Sequence, residues 1–130
     1  MSYSKAQQLK SKGKGKRKKL QSMQNLRKKA WTVFSLWIRN RDKKCVTCGS
    51  IKSLQAGHYV HRNCLDFNEK NINAQCAGCN MYKSGNLVVY AVYLEKKYGY
   101  GIIQELEKKG REVKKFNREE LELIIEMYSE

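Results

Sequence analysis

From Met23 to Arg41 the apolar residues Leu26, Ala30, Val33, Phe34, Trp37 and Ile38 recur at intervals of three and four. That spacing gathers side chains on one face of a helix. Lys28, Lys29, Arg39 and Arg41 fall mainly on the rest of the wheel. The pattern predicts a helix over 23–41 with its aromatic stripe in the core. The stretch SLQAGHYVHR carries Leu54, Ala56, Tyr59 and Val60 and predicts a short strand running into a loop. LDFNEKNIN, residues 65–73, predicts a returning strand followed by a turn held by asparagines. A helical turn follows Cys79 and is interrupted near Ser84-Gly85-Asn86. Helical spacing resumes over 87–98 through Leu87, Tyr90, Ala91 and Leu94, and Gly99 stops it. A short helix over 102–109 ends at Gly110. Asn117 and Glu120, three apart, form the signature of a capping box, with Leu121, Ile124, Ile125 and Tyr128 as the buried face of a last helix. The sum is an α+β chain, mostly helical, with no proline and no repeat. It reads as one domain over 23–130 preceded by an arm over 1–22.

Charge changes the picture at the front. Of the net charge of +15, residues 1–41 contribute +13 with no acid, residues 42–100 contribute +4, and residues 101–130 contribute −2. In the arm, KSKGKGKRKKLQ has nothing apolar to bury and is expected to be disordered when free. A basic front with a balanced back suits a polyanion, and phosphate contacts would make binding salt-sensitive. The candidates are Lys10, Lys12, Lys14, Lys16, Arg17, Lys18 and Lys19 in the arm, with Lys43, Lys44 and Lys83 beyond it. Surface placement explains such residues equally well. No apolar run reaches the length of a membrane span, and no secretory h-region is present. An intracellular setting is the expectation.

The five cysteines are an odd number, and four of them form two C-x2-C pairs, Cys45/Cys48 and Cys76/Cys79. Without an export signal such pairs favour metal over disulfides. Four thiolates at these spacings close a tetrahedron around Zn²⁺. Little apolar material lies between residues 42 and 80, so this part is expected to need the metal to fold. Cys64 has no partner at ligand spacing and reads as a small apolar side chain.

Between the knuckles lie the only two histidines, His58 and His61. His58 would end the first strand, Asn71 precedes Cys76 by five residues, and Asn80 directly follows the last cysteine. Hydrolysis of a phosphodiester needs a base near neutral pH, an oxygen-liganded divalent ion such as Mg²⁺ or Mn²⁺, and something to hold the imidazole. His58, Asn80 and Asn71 suit those roles in that order. The zinc clip would then bring His58 and Asn80 across from each other.

The order His58, Asn71, Asn80 around paired knuckles resembles the HNH, or ββα-metal, nucleases. More narrowly, CVTCG, LQAGHY, FNEKNINAQCAGCN and KSGNLVVY resemble the NinG/Rap recombination proteins of lambdoid phages. The resemblance covers about residues 26 to 108. It implies a zinc-stapled, HNH-like core with flanking helices, and a phage-encoded endonuclease acting on Holliday junctions and D-loops in the host cytoplasm. It casts His58 as general base, Asn80 as ligand of the catalytic ion, Asn71 as the residue that pins the loop, and the four cysteines as structural zinc ligands. Many HNH enzymes carry Asp or His directly before the base; here that position is Gly57, and Gln55 stands where some relatives have an acid. Asp66, Glu69 and His61 are left as candidates to complete the ion's shell.

Three functions compete. One is a metal-dependent endonuclease cutting branched DNA, with paired cuts favouring a symmetric homodimer. The second is a catalytically inactive, zinc-stabilised DNA-binding recombination protein, which Gly57 favours. The third is an RNA- or ribosome-associated zinc protein, suggested by the arm. The acidic C-terminal helix either supplies a dimer interface or packs on the domain.

Overall fold

A computed structural model describes residues 20–129, and the basic arm from 1 to 19 lies outside them. Helix α1 spans Met23–Asp42. Ser22 caps its start by accepting from the Asn25 N–H at 3.1 Å, and Lys43 ends it at φ 64°, closing a bond to the Arg39 carbonyl. The apolar stripe behaves as its spacing predicts: Leu26, Ala30, Phe34 and Ile38 are buried.

Strand β1, Leu54–His58, pairs antiparallel with β2, Ile72–Cys76, in a register that sets His58 against Ile72 and Leu54 against Cys76. The second strand begins where the sequence pattern would have ended it. Residues 63–65 form a 3₁₀ turn instead. Asn68 then accepts from the Lys70 and Asn71 N–H groups at 3.0 Å each. That side chain satisfies the backbone locally, so the ladder starts only at Ile72.

Alternation divides the sheet into two unlike faces. Ala56, Ile72 and Ala74 pack with Phe34 and Ile38 of α1. The opposite face carries Gln55, Gly57, Asn73 and Gln75, and the last two are fully buried although polar. The outer edge of β2 is closed by the Asp42 carboxylate, which accepts from the Ala74 N–H at 2.8 Å, and by the Val46 N–H, which donates to the Ala74 carbonyl at 2.9 Å.

After β2 the chain makes one wide helical turn, Gly78–Tyr82, and then α2, Leu87–Tyr98, and α3, Ile102–Gly110. A second core of Tyr90, Leu94, Ile102 and Leu106 joins these two helices. The Tyr90 hydroxyl reaches back into the sheet: it donates to the Gly57 carbonyl at 2.7 Å, lies 3.2 Å from the Asn71 carbonyl, and accepts from the Asn73 amide at 3.0 Å. Helix α4, Arg118–Tyr128, starts with the full capping box of Asn117 and Glu120. It lays Leu121, Ile124 and Ile125 against Leu26 and Ala30 of α1, so its apolar face is spent within the chain. None of the described helices is long and apolar enough to cross a membrane.

Candidate metal centre and histidine site

The two knuckles meet at one end of the sheet. The Sγ atoms of Cys45, Cys48, Cys76 and Cys79 all lie within 4.8 Å of one another, with Cys48 and Cys76 at 3.6 Å. A Zn–S bond of about 2.3 Å implies tetrahedral S···S spacings of about 3.8 Å, so the cluster is sized to hold a metal such as zinc. The register explains the convergence. Cys76 is the last residue of β2, while the first knuckle hangs on the outer edge of that strand through Val46.

Donors surround the sulfurs. The Thr47 hydroxyl lies 3.2 Å from Cys45, the Cys79 N–H donates to Cys76 at 3.4 Å, and the Asn86 amide donates to Cys79 at 3.7 Å. Burial alone would raise the Cys45 thiol, yet hydrogen bonds from Thr47 and from backbone N–H groups pull it down to about 6. Cys48 moves the opposite way, to about 12: the Ser50 backbone favours its thiolate, but the sulfurs of Cys45 and Cys76 outweigh that. Crowded thiolates repel one another, and a dication is what allows all four to ionise together.

His58 lies at the other end of β1, on the α1 face. Its ring stacks on Trp31, with centroids 5.2 Å apart and planes 16° off parallel, and on its second side meets His61 at 5.4 Å. Its Nε2 lies 2.9 Å from Asp66 Oδ1, and the second Asp66 oxygen accepts from Arg27 of α1. Burial would raise the Asp66 carboxyl, but the bonds from His58 and Arg27 hold it below the usual carboxylate value. Asn71 is fully buried, and its amide grips Val60 from both sides: Oδ1 accepts from the Val60 N–H at 2.8 Å and Nδ2 donates to the Val60 carbonyl at 3.0 Å. It therefore pins the loop after His58 and does not touch the imidazole.

Asn80 sits in the wide turn on the other face of the sheet, where its amide donates to Gln55 Oε1 at 2.8 Å. The expectation that the zinc clip sets His58 and Asn80 across from each other is not met, because Asn80 packs over Gly57, on the sheet face opposite to the one from which the His58 side chain leaves β1. The space beside Gly57 is filled. A Cβ there would stand 2.1 Å from Gln75 Oε1 and 3.0 Å from Asn80 Oδ1. Gln75 spans buried territory, its Nε2 donating to the Gly85 carbonyl at 2.7 Å and to Thr47 at 3.3 Å, while its Oε1 has no conventional donor. The second α-hydrogen of Gly57 faces that oxygen and supplies a weak Cα–H···O contact.

Two of the other candidates for an ion's shell are occupied, and the third, His61, stacks on His58. Asp66 serves His58 and Arg27, and Glu69 accepts from the Tyr128 hydroxyl at 2.6 Å. Lys43, Lys44 and Lys83 are exposed, and the arm's lysines and Arg17 fall outside the described residues. Sequence reasoning missed Arg27, Trp31 and Gln75, and Tyr90 it placed only as a helix residue. The signal available for two of them was spacing, since Arg27 and Trp31 stand four apart on α1 and so share a face.

The family described as Bacteriophage Lambda NinG protein matches residues 2–130. Protein ninG of Escherichia phage lambda is 42% identical over 87 residues, which cover 62% of this chain and 43% of that protein. Protein ninG of Salmonella phage P22 and of Escherichia phage 933W are each 41% identical over the same length and the same shares. The matched stretch thus spans less than half of each of these relatives. No solved structure matches the chain. With the matched residues running through the knuckles, the sheet and the helices around them, the chain belongs to the NinG family.

Proposed function

We propose that the chain is a structure-selective DNA endonuclease of the ββα-metal type, acting on branched recombination intermediates such as Holliday junctions and D-loops in the host cytoplasm. The observation that carries this reading is the imidazole of His58, partly exposed at the end of β1 and fixed by stacking, beside a loop that Asn71 pins. A neutral imidazole so held suits general-base work near neutral pH. His58 takes a proton from water, the resulting hydroxide adds to phosphorus, the bond to the 3′-oxygen breaks, and that oxygen takes a proton from solvent while the imidazolium returns its own to solvent. The products carry a 5′-phosphate and a 3′-hydroxyl. A zinc ion in the four-cysteine centre would staple the knuckles to the sheet and take no part in the chemistry.

The amides around Gly57 do not fit a resident Mg²⁺ or Mn²⁺. They are neutral, Gln55 Oε1 is taken up by the Asn80 Nδ2 donor, and Gln75 Oε1 is shut in against Gly57. Hard divalent ions are held by carboxylates or phosphates in addition to neutral oxygens. The same observation favours a second reading, a zinc-stabilised module that binds branched DNA without cutting it.

Cleavage of a labelled four-way junction across Mg²⁺ and Mn²⁺ titrations separates the two. The endonuclease reading expects nicking by the wild type, and loss of nicking with retained junction binding in His58→Ala. Salt-sensitive binding with no nick under any metal condition supports the binding module and overturns the enzyme.

A further inference from the structure

We propose that Asp66, gripped by Arg27, is the positioning residue of His58, and that it makes Nδ1 the nitrogen that accepts the proton. The proposal rests on the hydrolytic reading above and goes further by naming the working atom. A carboxylate offers no proton, so the 2.9 Å contact between Asp66 Oδ1 and His58 Nε2 requires the hydrogen on Nε2. A neutral imidazole has one N–H, which leaves the lone pair on Nδ1. Arg27 holds the other Asp66 oxygen. Its own guanidinium lies over the rings of Phe67 and Phe116, at 5.9 and 5.8 Å. One turn further along α1, Trp31 presses on the flat of the imidazole. A single helix thus fixes the ring plane through Trp31 and the ring's tautomer through Arg27 and Asp66.

The chain of donors makes a sharp prediction for the isosteric change Asp66→Asn. Arg27 only donates, so the new amide must turn its oxygen toward Arg27 and its NH₂ toward His58. Nε2 then has to accept, and the proton moves to Nδ1. The base is lost without any loss of volume.

The test reads the ring nitrogens of His58 by ¹⁵N NMR in the zinc-loaded chain near neutral pH, beside junction cleavage. The wild type is expected as the Nε2–H tautomer and Asp66→Asn as the Nδ1–H tautomer. The variant's kcat should fall about 10²- to 10⁴-fold, the range for a displaced general base, with KM within about threefold. Adding Arg27→Met removes the demand on the amide oxygen, so the double variant should regain Nε2–H and recover at least about tenfold in kcat. A merely structural Asp66 would give no such rescue. A wild-type His58 protonated on Nδ1, or an Asp66→Asn variant that cuts at the wild-type rate, overturns the proposal even if the DNA is cleaved. Wild type that shows Nε2–H but cuts nothing overturns the endonuclease reading instead, and supports the Arg27–Asp66–His58 geometry alone.

Discussion

Replacing Gly57 by alanine adds one methyl group, and the structure makes it an expensive one. Glycine within a strand ordinarily costs about 0.5–1 kcal/mol relative to alanine, so on backbone entropy alone Gly57→Ala should stabilise. The new Cβ would meet Gln75 Oε1 at 2.1 Å and Gln75 Cδ at 3.0 Å, which no small adjustment relieves. Gln75 is fully buried and has nowhere to swing without surrendering its bonds to Gly85 and Thr47. Two hydrogen bonds at about 0.5–1.5 kcal/mol each, with overpacking at about 1–3 kcal/mol, set against the entropy gain, leave a net loss of about 1–5 kcal/mol. Urea unfolding of the zinc-loaded chain, followed by circular dichroism, measures it. The decisive arm is a double-mutant cycle with Gln75→Ala, which removes the clashing side chain. In that background Gly57→Ala should be neutral or stabilising by about 0.5 kcal/mol, giving a coupling well above the additivity error of roughly 0.5 kcal/mol. An equal cost in both backgrounds, or a stabilised single variant, would refute the argument that Gly57 is there to admit Gln75.

The other predictions concern the metal centre and the carboxylate. Stripping metal with a strong chelator should unfold residues 45–86 and collapse the amide dispersion of both strands, with return on adding one equivalent of Zn²⁺; persistence of the β1–β2 amide signals in the apo chain would show that the sulfurs are not a structural staple. Asp66 has a folded-state pKa below its unfolded value, so its contribution to stability is present above the unfolded carboxylate range and disappears as pH falls through the depressed folded value. The stability gap between wild type and Asp66→Asn should therefore hold from neutral pH down to about 4 and close below it. Acid titration of both proteins by urea unfolding checks this, and a gap that widened in acid would reverse the sign.

The parts legible in sequence were those carried by local rules. The three-and-four spacing of Leu26, Ala30, Phe34 and Ile38 sufficed for α1, as did Asn117 and Glu120 for the start of α4. C-x2-C spacing sufficed to bring the four cysteines together. Asn71, read from the residues alone as the group that holds the imidazole, instead bonds Val60; the loop contact was implied by the family resemblance and not by a local rule. What stayed hidden depends on partners distant in the chain. Arg27 meets Asp66 across 39 positions, and Gln75 meets Thr47 across 28, and no local pattern marks either pair. The start of β2 was misplaced because the side chain of Asn68 competes for the backbone, an effect that periodicity does not register. The facing of His58 and Asn80 failed for a simpler reason. Gly57, the residue before His58, is the one Asn80 packs against, and neighbours on a strand point opposite ways.

Tyr90 carries a wider consequence. Its hydroxyl fastens the backbone of β1 at Gly57, one residue before the imidazole, to α2, whose Tyr90 and Leu94 pack with Ile102 and Leu106 of α3. The strand end that bears His58 therefore draws part of its rigidity from a cluster that lies beyond the sheet. Damage to Leu106, which no contact links to the histidine, would travel along α2 and loosen the imidazole's footing. In this chain the distant helices act as a second anchorage of the site, joined to it by that single phenol.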